Sequence, residues 1–246
     1  MRHFAFIIVA LSLAALACVT VLPPRPALEW DESPENIVIE AYIVGGMTPT
    51  NYHQNYIPEV RVFGGGRIVW VEWNNAQRTV LEGHLTKDEV RAVLEEFSSA
   101  GFFGWENFYE PEGIIYDAPT STLRVNLLSI SKSVSEYVEG APAQYDVLWA
   151  RVASGAGAVG APYQPTTGYL VATPLNGTGM IITHSWPDEA TGLTLSEVTA
   201  GRYVQGEALT AAWRIINENQ YAVVESDGAQ YFISLQIPGI SYQTPP

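Results

Sequence analysis

The stretch that decides the fold is LTKDEVRAVLEEFSSAGFFGW, residues 85–105. Thr86 followed three positions later by Glu89 is a capping box, in which hydroxyl and carboxylate each satisfy a backbone N–H that the first helical turn leaves open. Val90, Val93, Leu94 and Phe97 then recur at the spacing that lines one helical face. Gly101 ends the helix, because glycine takes the left-handed conformation of a C-terminal cap without a Cβ clash. Phe102, Phe103 and Trp105 read as an aromatic plug against a sheet edge.

Strand signals lie on both sides of this helix. Ile37–Val44 reads as a first strand and Thr48–Pro58 as a polar, aromatic loop. Val60–Phe63 and Arg67–Trp73 flank Gly64, Gly65 and Gly66, a hairpin signal, and Gln77–Gly83 is a further strand. Downstream, Pro119–Leu128 and Ile130–Val138 form a second hairpin, and Asp146–Val152 a short helix carrying Leu148 and Trp149. The final third repeats the order. Tyr169–Thr173 and Met180–Thr183 read as strands, and Glu207–Asn217 as a helix burying Leu209, Trp213 and Ile216. Tyr221–Glu225 and Tyr231–Leu235 flank Asp227-Gly228, whose residues suit the positive φ angles of a tight hairpin. Strands grouped in hairpins with helices set between them predict an α+β fold, an antiparallel sheet with helices packed on one face. The recurrence of helix followed by hairpin suggests two similar small units. The expected organisation is a signal peptide at 1–17, a proline-rich tether at 18–35, a first α+β unit at 36–152, a Gly/Ala/Pro linker at 153–168 and a second unit at 169–246.

The N-terminus carries an address. Arg2 is followed by Phe4–Ala17, apolar throughout except for Ser12, and the run ends in Ala14-Ala15-Leu16-Ala17-Cys18. A basic start, an apolar stretch of that length and a small-residue exit make a secretory signal. The junction resembles the lipobox of bacterial lipoproteins, which implies that Cys18 becomes the mature N-terminus and receives a diacylglyceryl group. Cys18 is the one cysteine of 246 residues, so no disulfide can form within the chain. Two other readings stay open: cleavage after Ala15-Leu16-Ala17 to release a secreted protein, and an uncleaved N-terminal anchor. The expected location is extracytoplasmic, tethered to a bacterial membrane through lipidated Cys18. Val19–Glu35, with Pro23, Pro24, Pro26 and Pro34, reads as the spacer.

Twelve Lys and Arg stand against 26 Asp and Glu, a formal net charge of −14. Such a surface repels phosphate backbones, so nucleic acid is not expected as a partner. The motifs of several chemistries are missing or misplaced. Gly155-Ala-Gly157-Ala-Val-Gly160 spells a dinucleotide fingerprint, but a helix precedes it and Pro162 follows, where pyrophosphate binding needs a strand before and a helix after. His53, His84 and His184 are too scattered to form a zinc pattern. His184 and Ser185 are adjacent, and neighbours in a strand point to opposite faces.

One stretch stands apart. Ala92–Leu123 holds no Lys or Arg, while its six carboxylates, Glu95, Glu96, Glu106, Glu110, Glu112 and Asp117, are interleaved with Trp105, Phe108, Tyr109 and Tyr116. Clustered carboxylate oxygens are what calcium takes as ligands, and carboxylates beside aromatic rings also grip sugars. Glu106, Glu110, Glu112, Asp117, Trp105 and Tyr109 are therefore the candidate cation or sugar residues, against the plainer reading of a solvated acidic loop. Calcium is the one cofactor this composition suggests, and no catalytic residue stands out.

A family resemblance rests on the capped helix Leu85–Ala100, the exit Gly101-Phe102-Phe103, the run Asp117–Leu123, Lys132–Tyr137 and Gly140-Ala141-Pro142. From Gly83 to Leu148 the chain resembles a domain of unknown function in bacterial lipoproteins. The resemblance implies the address and the fold, and brings no activity, cofactor or catalytic residue. The functional expectation is a non-catalytic binding or accessory module of the envelope, whose partners are the membrane, through the lipid, and an unidentified protein or carbohydrate. The alternatives are a protein-interaction or inhibitor-like module and a carboxylate-dependent hydrolase.

Overall fold

The computed structural model describes residues 26–47, 50–75, 77–113, 115–175 and 181–246. The signal peptide, Cys18, the start of the tether and Met180 lie outside the described residues. The fold is α+β, built on two sheets. Among the described residues the first sheet has eight strands: β1 (Ile37–Gly45), β2 (Val60–Phe63), β3 (Arg67–Asn74), β4 (Gln77–His84), β5 (Phe108–Tyr109), β6 (Pro119–Asn126), β7 (Ser131–Tyr137) and β8 (Ala161–Pro162). Their spatial order is β5-β7-β6-β1-β2-β3-β4-β8. The second sheet has five: β9 (Gly168–Pro174), β10 (His184–Ser185), β11 (Arg202–Val204), β12 (Val223–Ser226) and β13 (Ala229–Gln236), in the order β10-β12-β13-β9-β11. Pairing is antiparallel except at two short edges, where β5 runs parallel to β7 and β10 parallel to β12.

The helices are α1 (Thr50–Asn55), α2 (Lys87–Ala100), α3 (Gln144–Ala153), α4 (Asp188–Thr191) and α5 (Gly206–Glu218). Helix α2 begins where the capping box places it: the Glu89 N–H donates to Thr86 Oγ1 at 3.2 Å, and the Thr86 N–H donates to Glu89 Oε2 at 2.7 Å. Gly101 closes it at φ 85°, its N–H bonded to the carbonyls of Phe97 and Ser98. Val90, Val93, Leu94 and Phe97 are buried, and Phe102 packs edge-on to Phe97 with ring centroids 5.0 Å apart.

Strand alternation divides the first sheet's side chains between two cores. Ile39, Ala41, Val60, Val62, Ile68, Trp70, Leu123, Val125 and Val134 face α2 and α3. Phe63, Val69, Val71 and Val80 point the other way, into a core shared with Leu170, Ala172, Ile233 and Leu235 of the second sheet and Leu209, Ala212, Trp213 and Ile216 of α5. Helices α2 and α3 thus cover one side of the first sheet, and the second sheet with α5 covers the other. The shared core is pinned by Asn55, almost fully buried, whose side chain donates to the Ile233 carbonyl at 3.0 Å and accepts from the Leu235 N–H at 2.8 Å.

Several segments differ from the expectation. The region expected as a loop at Thr48–Pro58 contains α1, which six residues without an apolar period do not announce. The strand expected at Met180–Thr183 lies later, at His184–Ser185. Residues 26–35, read as the end of the tether, belong to the fold: Trp30 is buried and its indole N–H donates to the Gly64 carbonyl at 3.0 Å, while the Leu128 N–H bonds to the Glu29 carbonyl. Aromatic burial outweighed the proline-rich composition there. The stretch 153–168 lies packed along the first sheet. Gly155, at φ 81°, and Gly160 sit against the Trp70 indole, where a Cβ on Gly160 would come within 2.2 Å of the ring. Those glycines permit close approach to a tryptophan, which accounts for the fingerprint-like spelling.

Candidate functional site

The acidic, aromatic stretch is the first place to look, and the structure disperses it. Trp105 is half-buried against Phe102, centroids 5.6 Å apart, so it serves the core. Tyr109 lies in β5, half-buried, and its hydroxyl accepts from the Glu106 N–H at 2.9 Å. Glu106, Glu110, Glu112 and Asp117 are exposed. The backbone of Glu110 lies against Gly140, and Asp117 turns the chain at φ 58°. Among the described residues no three His, Cys, Asp or Glu side chains stand close enough to hold a metal ion. Fold topology also supplies a cation that the stretch itself lacks. Lys132 of β7 bonds to the Trp105 carbonyl and to Asn107 Oδ1. Burial holds its ammonium below the ordinary 10.5, with the charge of Glu106 pulling the other way.

A cleft of about 340 Å³ opens at the seam between the two sheets. Its walls are the first half of β4 (Gln77, Arg78, Thr79, Val80), the segment leaving β8 (Pro162, Tyr163, Gln164) and the last turns of α5 (Trp213, Arg214, Asn217, Glu218). Two aromatic rings anchor it, Tyr163 and Trp213, edge to face at 77° with centroids 6.0 Å apart. Both sit against the shared core, which fixes their orientation. Burial pushes the Tyr163 hydroxyl above its ordinary 10.0 against the opposing pull of Arg67, so it stays protonated at neutral pH.

The charged groups are held in a chain of contacts. Arg78 is buried; its Nε–H donates to Asn217 Oδ1 at 2.7 Å and Nη1 to the Asn55 carbonyl at 2.8 Å. Arg214, exposed on α5, donates from Nη1 to both Glu218 oxygens, at 3.1 and 3.3 Å, as an i,i+4 pair. His184 Nε2 stands 3.1 Å from the same carboxylate. The cleft therefore carries two guanidinium groups against one carboxylate, in a chain whose charge is strongly negative overall. A small concave site with an aromatic wall and a few convergent polar groups is the usual form of a ligand pocket.

None of the cleft residues was read from the sequence as a binding residue. They come from three segments far apart in the chain, and Arg78, Tyr163 and Trp213 there read only as strand, linker and helix-core residues. The one legible signal was the rarity of cations: with 12 Lys and Arg in the whole chain, two arginines in one cleft are a concentration. Among the described residues, His53, His84 and His184 are not brought together as a metal site. No protein-family model matches the chain, and no curated protein matches it.

Proposed function

We propose that this protein is exported, held at a bacterial membrane by a lipid on Cys18, and works there as a binding module whose ligand site is the cleft between β4 and α5. The observation that carries the binding assignment is the cleft itself, with its paired aromatic rings and fixed guanidinium groups. The anchor rests on the Ala-Leu-Ala-Cys junction. Seven residues, 19–25, separate Cys18 from Pro26.

The direction in which the chain enters the fold supports the same reading. Trp30 bonds to Gly64, and the Leu85 N–H bonds to the Gly66 carbonyl, so the segment 26–35 meets the sheet at the end where β4 finishes. The cleft lies at the other end of β4, at Gln77–Val80, roughly 15–20 Å away at the rise of a strand. A lipid-anchored chain would hold that cleft away from its attachment point.

Two measurements test the proposal. Labelled diacylglycerol should appear on the wild-type protein and vanish in Cys18→Ser; absence of label on the wild type would remove the anchor. A small-molecule screen by two-dimensional NMR should shift resonances of Gln77–Val80, Tyr163 and Arg214 together, with Trp213→Ala weakening the response. Hits confined to other surfaces would move the site elsewhere.

A further inference from the structure

Arg214 of α5 presents half of its guanidinium already spoken for. Nη1 donates to both oxygens of the Glu218 carboxylate, which sets the resting orientation of the planar fork. Nε and Nη2 make no hydrogen bond among the described residues, and the side chain is 53% exposed. These two N–H groups lie on one edge of the fork, the edge that receives a carboxylate through two parallel hydrogen bonds. Buried Arg78, whose charge also acts on Glu59, adds a second guanidinium to the same cleft and is clamped by Asn217 and Asn55, so it cannot swing out to solvent. Beside them the Tyr163–Trp213 pair offers an apolar wall, and the exposed amides of Gln77 and Gln164 stand at the rim. The volume, about 340 Å³, is at the low end for ligand pockets and suits a molecule of about one ring.

We propose that the cleft takes a small ring-bearing carboxylate, its acid group on the free edge of Arg214 and its ring against Tyr163 and Trp213. This rests on the binding-module reading and names the ligand class for it. The ring could be aromatic or that of an acidic sugar, since both combine a carboxylate with a face that packs on an indole.

Titration calorimetry on the purified full chain with four probes tests this: phenylacetate and its neutral amide, and glucuronate and its neutral counterpart glucose. At least one acid should bind at least about tenfold more tightly than its neutral partner, the preference expected of a bidentate charge-assisted contact. Arg214→Gln, an exposed substitution that loses only a surface i,i+4 pair, should abolish that preference with little change in the melting temperature. Arg214→Lys should restore only part of it, because an ammonium keeps the charge and loses the fork. Tighter phenylacetate assigns the aromatic acid, and tighter glucuronate the acidic sugar; either supports the inference. Equal binding of acids and neutral partners would overturn the carboxylate assignment while leaving the binding module standing. An acid preference that survives Arg214→Gln would overturn the role given to Arg214. No binding by any of the four would overturn the inference, and the NMR screen would then judge the cleft separately.

Discussion

Glu40 shows how much one side chain can commit. It is buried in β1 between Arg61 of β2, 2.7 Å away, and Arg124 of β6, 3.2 Å away, directly across the ladders in both directions. Arg61 is itself buried and reaches the carbonyls of Gly239, Ile240 and Ser241. Desolvating these charges offsets much of their attraction, so removing one partner is worse than removing both. Glu40→Leu should cost about 3 kcal/mol in urea denaturation, and Glu40→Leu with Arg61→Met distinctly less. Equal losses would mean that the pair is not desolvated as its burial implies. Glu59 is the opposite case. Burial raises its carboxyl above the ordinary 4.5, against the Trp73 indole and Arg78, which favour the charged form. The folded state therefore keeps a proton that the unfolded chain has released, and stability falls as pH rises from about 4.5 through the higher folded value. Glu59→Gln should flatten that fall, gaining on the wild type at pH 7 relative to pH 4 in thermal melts.

At the scale of elements, α2 was readable because its start, face and stop are all local. Thr86→Ala should cost about 1 kcal/mol through the lost cap, measured by urea denaturation; an unchanged midpoint would mean that the box contributes nothing. The segment at 155–160 was misread because its glycines answer to Trp70, which lies some 90 positions earlier. Gly160→Ala should cost about 1–3 kcal/mol and shift the tryptophan emission, since the added methyl meets the indole face. The acidic stretch was singled out for its composition alone. Its carboxylates spread over exposed turns, and β7 delivers Lys132 among them. Millimolar calcium should accordingly raise the melting temperature no more than magnesium or monovalent salt at matched ionic strength. A calcium-specific rise lost in Glu110→Gln or Asp117→Asn would restore the cation site.

At the scale of the molecule, the second core joins Phe63, Val69, Val71 and Val80 to α5 and the second sheet, and Asn55 and Arg61 tie the first unit to the backbone at 233–241. Unfolding followed by tryptophan fluorescence and by far-ultraviolet circular dichroism should therefore give coincident transitions; an earlier separate loss of either signal would mean that the seam opens on its own. This is also where the sequence stopped being legible. The periods of strands and helices, the capping box and the Asp227-Gly228 turn are short-range constraints, and from them the α+β class, the two hairpins and most buried positions could be read directly. A period states that a face is apolar without stating what will cover it. Val69 and Trp70 are neighbours in one strand, and nothing local says that one will join the core containing α5 and the other the core containing α2. Long-range packing alone decided that, and with it placed Arg78, Tyr163, Trp213 and Arg214 around one cleft, because only the closure of the two sheets on a common core brings those distant segments within reach of a single ligand.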